Sequence, residues 1–337
     1  MKPVRVSVLM YVFNNGTYLH EATKSILQQT YSDFELIIID DCSEESYENS
    51  IRYFDDQRIK FIRNDSHEGK ISSLNNAITL ANGELIARIE PMDIAHPWRL
   101  EKQISFMDKN ADCGILGSWI RTVDVNGNFL STVISYGKFL YYLMNFEPYS
   151  YSSVFIFRKK AAIDAGSYIS EPSDFNLCIR ISERYNIRNI DEPLTDIRVN
   201  EANIFEDEDS ILFFNEIQKQ LCKIKGSKVD DDFVLCYMNQ FEPILKDENV
   251  QRIVECINCF DDVSEKILSV VNCNRRESEI HYCWYQKKRY ILNQISLRLP
   301  LSKMVTLLLH YNERKMLLKN SFFLFKNRIK KILSHKR

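Results

Sequence analysis

The sequence lacks any long hydrophobic run. None of its 337 residues belongs to a stretch near the roughly 20 apolar residues that span a bilayer. Its first ten residues hold only a few apolar side chains before Asn14 and Asn15, so we expect no signal peptide. Internal repeats and low-complexity segments are also missing. With 45% hydrophobic and 27% charged residues, the composition is typical of a globular protein with a sizeable core.

Cysteine spacing shows no regular pattern among the nine cysteines of the chain. Cys256 and Cys259 form one CxxC pair, and Cys273 and Cys283 lie too far apart to supply the second pair of a zinc ribbon. We therefore favour buried thiols on a helix over a metal site. Free thiols fit a reducing compartment, so we expect a cytoplasmic protein.

Acidic residues are missing from the last stretch of the chain. Residues 314–337 contain nine Lys or Arg and no Asp or Glu, although the net charge of the whole chain is −2. The remainder is therefore acidic, which argues against nucleic-acid binding. Residues 317–333 interleave Leu, Phe and Ile with Lys and Arg, which is typical of a basic amphipathic helix on an anionic membrane surface. The alternative is a terminal helix packed on its own domain with a solvated basic face.

Strands alternating with helices are predicted over the first 200 residues. This order indicates an α/β fold in which helices flank a mostly parallel sheet. After about residue 203, apolar residues recur at helical spacing, so we predict domains over 1–205 and 206–337, the second mainly helical. The predicted strands cover 5–13, 34–39, 59–63, 85–89, 113–120, 154–157 and 195–199, with a hairpin at 123–134. The predicted helices cover 17–28 (capped by Thr17), 47–54, 71–80, 99–109, 159–165 and 175–185.

Polar residues follow three of the predicted strands. They are Asn14, the pair Asp40 and Asp41, and the segment Glu90–Asp93. Because the carboxyl ends of parallel strands share one edge of a sheet, we expect these positions to converge on one cleft. An acidic loop at that edge suggests a site for a cation and for the phosphates that the cation holds.

Several sequence blocks, in the same order, resemble the family 2 glycosyltransferases, which have the Rossmann-like GT-A fold. Residues 25–31 look like the family's S-I-L-x-Q-T-Y, and residues 34–43 are similar to F-E-L-I-I-I-D-D-G-S. Residues 87–94 occupy the place of A-R-M-D-A-D-D-I. Residues 152–159 and 174–177 fit the family's acceptor-side half. The resemblance covers roughly the first 200 residues.

This resemblance implies an inverting transfer of a sugar from a nucleotide sugar to an acceptor hydroxyl. Asp174 would be the general base, since a carboxylate can take the proton of the attacking hydroxyl. Asp41 would accept hydrogen bonds from the nucleotide base. A Mg²⁺ or Mn²⁺ usually stabilises the leaving nucleotide. The nucleotide-sugar-binding residues implied by the resemblance are Tyr11, Phe13, Asp41, Gly69, Arg88 and Glu90.

The sequence departs from the family at the metal-binding D-x-D motif. Met92 stands at the family's metal ligand, and a thioether is a weak ligand for Mg²⁺ or Mn²⁺. Glu90 and Asp93 are weak candidates for a shifted metal site. A cation such as Lys70, Arg88 or Arg99 could instead act without metal. Other departures in the acceptor-side half are Tyr151 for His, Ser173 for Glu, Asn176 for Asp and Cys178 for Trp.

Two functional classes therefore remain open. The first is an active glycosyltransferase that builds cell-surface polysaccharide at the inner face of the membrane, on glycan or lipid-linked acceptors. The second is a catalytically silent GT-A-like module that serves as a binding or assembly subunit. Structural roles are also open for single residues. Asp41 and Asp174 could cap helices, His67 and His96 could be structural, and Arg99 is expected to pair with Glu101 or Asp93.

Overall fold

The computed structural model describes residues 4–133, 152–169, 173–182 and 184–199. Beyond these it describes residues 228–237, 241–246 and 248–270, with isolated positions between 215 and 307. The chain divides into two compact units on either side of residue 216. The predicted boundary near residue 205 lies outside the described residues and stays a prediction.

The first unit alternates strands and helices as the sequence predicts. The strands are β1 (Val6–Val12), β2 (Phe34–Asp40), β3 (Ile59–Arg63), β4 (Leu85–Arg88), β5 (Ile94–Ala95), β6 (Cys113–Val123), β7 (Phe129–Val133), β8 (Ile156–Arg158) and β9 (Asn186–Arg198). The helices are α1 (Leu19–Leu27), α2 (Glu48–Arg52), α3 (Lys70–Leu80), α4 (Arg99–Lys109), α5 (Lys159–Asp164) and α6 (Ser173–Ser182). Two of these elements, β3 and α4, have the predicted bounds.

Within the described residues, nine strands form one mixed sheet in the order β3-β2-β1-β4-β8-β6-β9-β5, with β7 paired to β6. The half made of β3, β2, β1 and β4 is parallel. The chain leaves β1 first toward β2 and β3 and then returns to the other side of β1 to form β4. Ligands of open α/β sheets bind at such a reversal, outside the carboxyl ends of the strands.

Helices cover both faces of this sheet, which explains the continuous apolar runs of β1 and β2. On one face, α1 and α4 pack against Val8, Leu36 and neighbouring side chains. On the other face, α3, α5 and α6 pack against Leu9, Ile37 and their neighbours. Successive strand residues thus point to opposite layers, as the period of two requires. The predicted α/β class with a helix-flanked, Rossmann-like sheet is confirmed.

Three local features differ from the sequence prediction. Thr17 does not cap α1, because Gly16–Tyr18 form a 3-10 turn and no side chain caps either helix start. The two-residue strand β5 was not predicted; it pairs antiparallel with β9. The last strand is longer than residues 195–199, since β9 continues through Pro193. Register shifts of β6 around Trp119 accommodate this proline, which has no N–H for the ladder.

A buried carboxylate, Glu35, ties the amino end of the sheet together. Its oxygens accept hydrogen bonds from Ser7 Oγ (2.5 Å) and the Asn82 N–H (2.6 Å), and Lys60 Nζ lies 2.5 Å away. Burial raises the pKa of Glu35, but the hydrogen bonds from Lys60, Ser7 and Asn82 outweigh burial and lower the pKa below its ordinary value. The charged form of Glu35 therefore stabilises the folded state.

We expect Glu35→Gln to lower the free energy of unfolding at neutral pH and to matter less in acid. The folded-state pKa is depressed, so the stabilisation is present above the unfolded pKa of about 4.3 and is lost as pH falls through the folded pKa. Urea unfolding between about pH 6 and about pH 3 measures the gap between wild type and variant. Glu48→Gln, which alters an exposed pair with Arg52, is the control. A gap that stays constant over this range would contradict the prediction.

The second unit is helical where it is described. Its helices are α7 (Asp231–Tyr237), α8 (Glu242–Leu245) and α9 (Val250–Val270). Phe233 and Phe260 pack edge to face, with ring centroids 4.6 Å apart. The CxxC pair lies on α9, a helix as predicted, where Cys256 is buried and Cys259 is half-buried. Contact with the Cys236 thiol and burial raise the pKa of Cys256.

A membrane-crossing helix is not found among the described residues. The predicted basic helix of residues 314–337 lies outside the described residues, and so does Tyr151.

Candidate functional site

Asp41 is a buried acceptor directly after the carboxyl end of β2. Its Oδ1 accepts hydrogen bonds from Asn64 Nδ2 (2.7 Å) and the Glu68 N–H (2.9 Å), and its Oδ2 accepts the Gly69 N–H (2.9 Å) and Tyr11 O–H (3.0 Å). Burial raises the pKa of Asp41, but these hydrogen bonds prevail and lower it. Asp41 is thus a charged acceptor that fixes the loop before α3, and it does not cap the next helix, α2.

Two stacked rings lie beside this carboxylate. Phe13, just after β1, stacks on His67 with ring centroids 4.0 Å apart and an interplanar angle of 22°. His67 Nδ1 lies 2.9 Å from Asp41 Oδ2. The sequence interpretation of His67 as a structural residue did not foresee this contact. A flat aromatic face next to a carboxylate is suited to a planar base that carries an N–H group.

Arg88 joins two acidic groups at the end of β4. The side chain is fully buried, and its Nη1 donates to the Leu9 carbonyl (2.8 Å). Its Nη2 lies 2.9 Å from Glu90 Oε1, and its Nε lies 3.4 Å from Asp174 Oδ1. Burial lowers the pKa of Arg88, but the carboxylates of Asp174 and Glu90 raise it above its ordinary value. The Arg88 guanidinium therefore stays charged.

Asp174 lies in the first turn of α6 and is buried. The Tyr168 hydroxyl donates to its Oδ1 at 2.7 Å, on the same oxygen that faces Arg88. Burial and the Asp174 charge raise the pKa of Tyr168 well above its usual value, so the hydroxyl keeps its proton. The sequence pattern around Asp174 gave no reason to expect Tyr168, which comes from the loop after α5.

The two acidic residues of the segment from Glu90 to Asp93 have different surroundings. Asp93 is buried, receives a hydrogen bond from Ser153 Oγ, and accepts the Arg198 N–H at 3.1 Å. Burial raises the pKa of the Asp93 carboxyl to about 7, because those hydrogen bonds offset only part of the desolvation. Glu90 remains partly exposed, and Lys70 Nζ approaches its Oε1 at 3.5 Å.

This donor set does not fit Mg²⁺ or Mn²⁺. Those ions take several oxygen ligands around one centre. Here the Glu90 carboxylate is already paired with Arg88 and Lys70, the Asp93 carboxylate is bonded to Ser153 and a backbone N–H, and Met92 offers only sulfur. Among the residues that the structure describes, no three His, Cys, Asp or Glu side chains are grouped so as to hold a metal ion.

The expected pairing of Arg99 is wrong. Arg99 is fully buried, and its guanidinium donates to the carbonyls of Arg88 (2.8 Å) and Phe155 (3.3 Å) and to Gln103. No ion pair of Arg99 with Glu101 or Asp93 occurs in the described part of the chain. The Phe155 carbonyl, which directly precedes β8, also accepts the Arg88 N–H at 2.9 Å. Arg99 therefore has a structural role, because it binds the backbone at Arg88.

The other residues that the sequence analysis singled out make contacts within the fold. His96 Nε2 lies 2.7 Å from Asp196, which Arg121 also binds. Asn176, where the family has Asp, accepts a hydrogen bond from Arg180 at 2.8 Å. Cys178, where Trp is common, is buried in the core between the sheet and α3. Nothing is described of the Ser173 side chain.

The nucleotide-site residues that the sequence analysis named form one chain of contacts. Tyr11 and Gly69 bind Asp41, Phe13 reaches it through His67, and α3 begins with Lys70 directly after Gly69. Lys70 reaches Glu90, and Arg88 connects Glu90 to Asp174. Asp93 is buried more deeply than Glu90 and contacts Ser153. Sequence reasoning missed Asn64, although it directly follows β3 and the strand-end rule could have found it.

Comparison with known proteins identifies a family. The model of Glycosyl transferase family 2 matches residues 7–165. The O-antigen biosynthesis glycosyltransferase WbnJ of Escherichia coli is 29% identical over 254 residues, which are 72% of this chain and 97% of that protein. The UDP-Glc:alpha-D-GlcNAc-diphosphoundecaprenol beta-1,3-glucosyltransferase WfgD of E. coli is 33% identical over 138 residues, 40% of this chain and 54% of that protein.

Coverage differs among the relatives. Three further curated glycosyltransferases are 33% to 41% identical, and the chain spans only 42% to 46% of their length. The crystal structure of S. aureus TarS 1–349 in complex with UDP-GlcNAc superposes with a TM-score of 0.55 at 14% identity, covering 87% of this chain and 91% of that one. That likeness shows the fold. Residues 7–165 therefore match the family 2 glycosyltransferases, and the chain has the GT-A fold.

Proposed function

We propose that this chain transfers a sugar from a nucleotide-sugar donor to an acceptor hydroxyl with inversion at the anomeric carbon. The observation that carries the proposal is the continuous line of contacts from Phe13 and Asp41, through Glu90 and Arg88, to Asp174. Apart from Asp174, the residues of this line lie at the carboxyl edge of the parallel strands, within residues 7–165 that match the family 2 model. It offers a base-binding end, a charged middle and a carboxylate at the far end.

Each part of the line has a chemical task in this reaction. Phe13 supplies a face for the base, and Asp41 accepts its N–H. Arg88 is held by buried acceptors, so it orients Glu90 and Asp174 without moving. Asp174 takes the proton of the acceptor hydroxyl as that oxygen attacks the anomeric carbon. A single displacement of this kind inverts the anomeric centre.

The acceptor is proposed to be a growing glycan or a lipid-linked sugar of a cell-surface polysaccharide. Several relatives are glycosyltransferases of polysaccharide or O-antigen biosynthesis, and WfgD is named for a diphosphoundecaprenol-linked acceptor. The basic segment of residues 314–337 would hold the protein at the anionic inner face of the cell membrane. Co-sedimentation with anionic vesicles tests this, because deletion of residues 314–337 should abolish vesicle binding.

The donor is tested by thermal-shift titration of the full chain with UDP, GDP and their common sugar conjugates. A nucleotide that binds only the folded state raises Tm as its concentration passes Kd. Release of nucleoside diphosphate from each sugar conjugate, with a lipid-linked acceptor added, then measures transfer. Binding without release under any acceptor would favour the catalytically silent binding or assembly module. No Tm shift with any nucleotide would exclude the transferase.

Removing the proposed stacking face should weaken nucleotide binding. We expect Phe13→Ala to raise the Kd of the bound nucleotide about tenfold or more, since stacking on an aromatic ring contributes roughly 1–3 kcal/mol per base. Phe129→Ala is the matched control. Phe129 is exposed on β7, and β7 pairs with β6, which is separated from β1 by β4 and β8. Equal Kd values for Phe13→Ala and wild type would remove Phe13 from the site.

A further inference from the structure

Lys70 occupies the middle of the contact line. The preceding residue, Gly69, gives its N–H to Asp41 at the base-binding end. The Lys70 ammonium lies 3.5 Å from Glu90 Oε1, and Glu90 is joined through Arg88 to Asp174 at the catalytic end. A nucleotide sugar that extends from Asp41 toward Asp174 must bring its diphosphate past this position.

Among the described residues, none forms a metal site at this position in the line. Met92 cannot provide the hard oxygen that Mg²⁺ or Mn²⁺ requires. Asp93 is turned into the protein toward Ser153 and the Arg198 backbone, and Glu90 already faces two cationic side chains. The negative charge of a leaving diphosphate therefore has to be met by groups of the protein itself.

The two cationic side chains at Glu90 differ in what they can do. Arg88 is fully buried and bonded to the Leu9 carbonyl, Glu90 and Asp174, so its guanidinium is fixed. The Lys70 side chain is about a third exposed (32%), and its ammonium sits on a flexible four-carbon stem. It also starts the eleven-residue helix α3, whose N-terminal dipole favours an anion. Lys70 can therefore turn from Glu90 to a phosphate oxygen.

We propose that Lys70 takes the place of the divalent cation and that donor binding and transfer in this chain are independent of metal. This inference rests on the proposed function. In the transfer step, the bond between the anomeric carbon and the phosphate oxygen breaks, and its electron pair goes to the nucleoside diphosphate. The Lys70 ammonium binds that diphosphate as its charge grows. The acceptor oxygen bonds to the anomeric carbon, and its proton passes to Asp174.

The test compares a nucleoside diphosphate with its nucleoside, using whichever of UDP or GDP binds the wild-type chain. Kd is measured by calorimetry in EDTA and again with Mn²⁺. We expect the two Kd values of the diphosphate to agree within about twofold. We expect Lys70→Met to raise the diphosphate Kd about tenfold or more, because a charge-assisted contact is lost, and to leave the nucleoside Kd unchanged. Lys70→Arg should recover part of the loss.

The controls keep the outcomes separate. Lys160→Met removes a lysine that pairs with Asp164 on the surface of α5 and should change neither Kd. Met92→Asp restores the family's ligand and should make diphosphate binding stronger with Mn²⁺ than without it. Wild-type binding that requires Mn²⁺ overturns the inference and leaves the proposed function standing. A Lys70→Met loss shared by the nucleoside, or no loss, also overturns it. Absence of binding by any nucleotide overturns both.

Discussion

Asp174→Asn is expected to lower kcat by about 10²- to 10⁴-fold, the usual contribution of a general base. Asparagine keeps the size of the side chain and an oxygen that can accept the Tyr168 O–H, so the first turn of α6 should keep its place. The amide cannot take a proton from an acceptor hydroxyl, and it also lacks the negative charge that faces Arg88. The Kd of the nucleoside diphosphate should therefore stay within about threefold of wild type, since Asp174 lies at the far end of the contact line from Asp41.

Initial rates of nucleoside diphosphate release, with saturating donor and acceptor, measure this effect. Asp164→Asn is the matched control, because Asp164 ends α5 and pairs with Lys160 on the surface. Tyr168→Phe separates proton transfer from positioning: it removes one hydrogen bond to Asp174 but keeps the carboxylate, so turnover should fall far less than in Asp174→Asn. An Asp174→Asn enzyme that turns over within tenfold of wild type would assign the base elsewhere.

Arg88→Met is expected to lower the free energy of unfolding by about 3–5 kcal/mol, which is the usual effect of removing one partner from a buried ionic cluster. Methionine fills much of the volume but cannot donate to Glu90, Asp174 or the Leu9 carbonyl. The two acidic side chains would then face each other without a cation between them. Urea unfolding followed by circular dichroism gives the difference directly.

An exposed arginine provides the comparison. Arg52 pairs with Glu48 one turn earlier on α2, and its side chain is largely exposed. Arg52→Met should therefore change the free energy of unfolding by no more than about 0.5 kcal/mol. Similar losses for Arg88→Met and Arg52→Met would mean that Arg88 is not a stabilising centre of the fold. The double variant Arg88→Met/Asp174→Asn should lose less than the sum of the two single changes, because it leaves one carboxylate fewer without a partner.

Local pattern was sufficient for the elements that decide the fold. The apolar run of β2 and the amphipathic spacing of α4 follow from side chains within one segment, and β3 and α4 were placed to the residue. The strand β9 shows the limit of such reasoning. Pro193 reads as a break in isolation, but β6 shifts register opposite it and carries the pairing past it. Only the partner strand contains that information.

The candidate site was likewise only partly predictable from the sequence. The rule that polar residues follow parallel strands brought Asp41 and Glu90 to one edge, and the family resemblance added Asp174. Tyr168 comes from a loop and Ser153 from a short 3-10 helix; both reach the site through tertiary packing, and neither follows a parallel strand. Arg99 was misjudged because nearby acids are visible in sequence, whereas the carbonyls that it binds are not.

The stacking of His67 on Phe13 affects the enthalpy of nucleotide binding. The imidazole already lies flat on the ring at 4.0 Å and places a nitrogen 2.9 Å from the Asp41 carboxylate. A base that takes those two positions must displace His67, and losing the contacts of His67 offsets part of the enthalpy that the base gains. The base should then contribute less net enthalpy than it would on an uncovered ring. His67→Ala, which leaves nothing to displace, should accordingly bind the free nucleoside more tightly and more exothermically than the wild-type chain does.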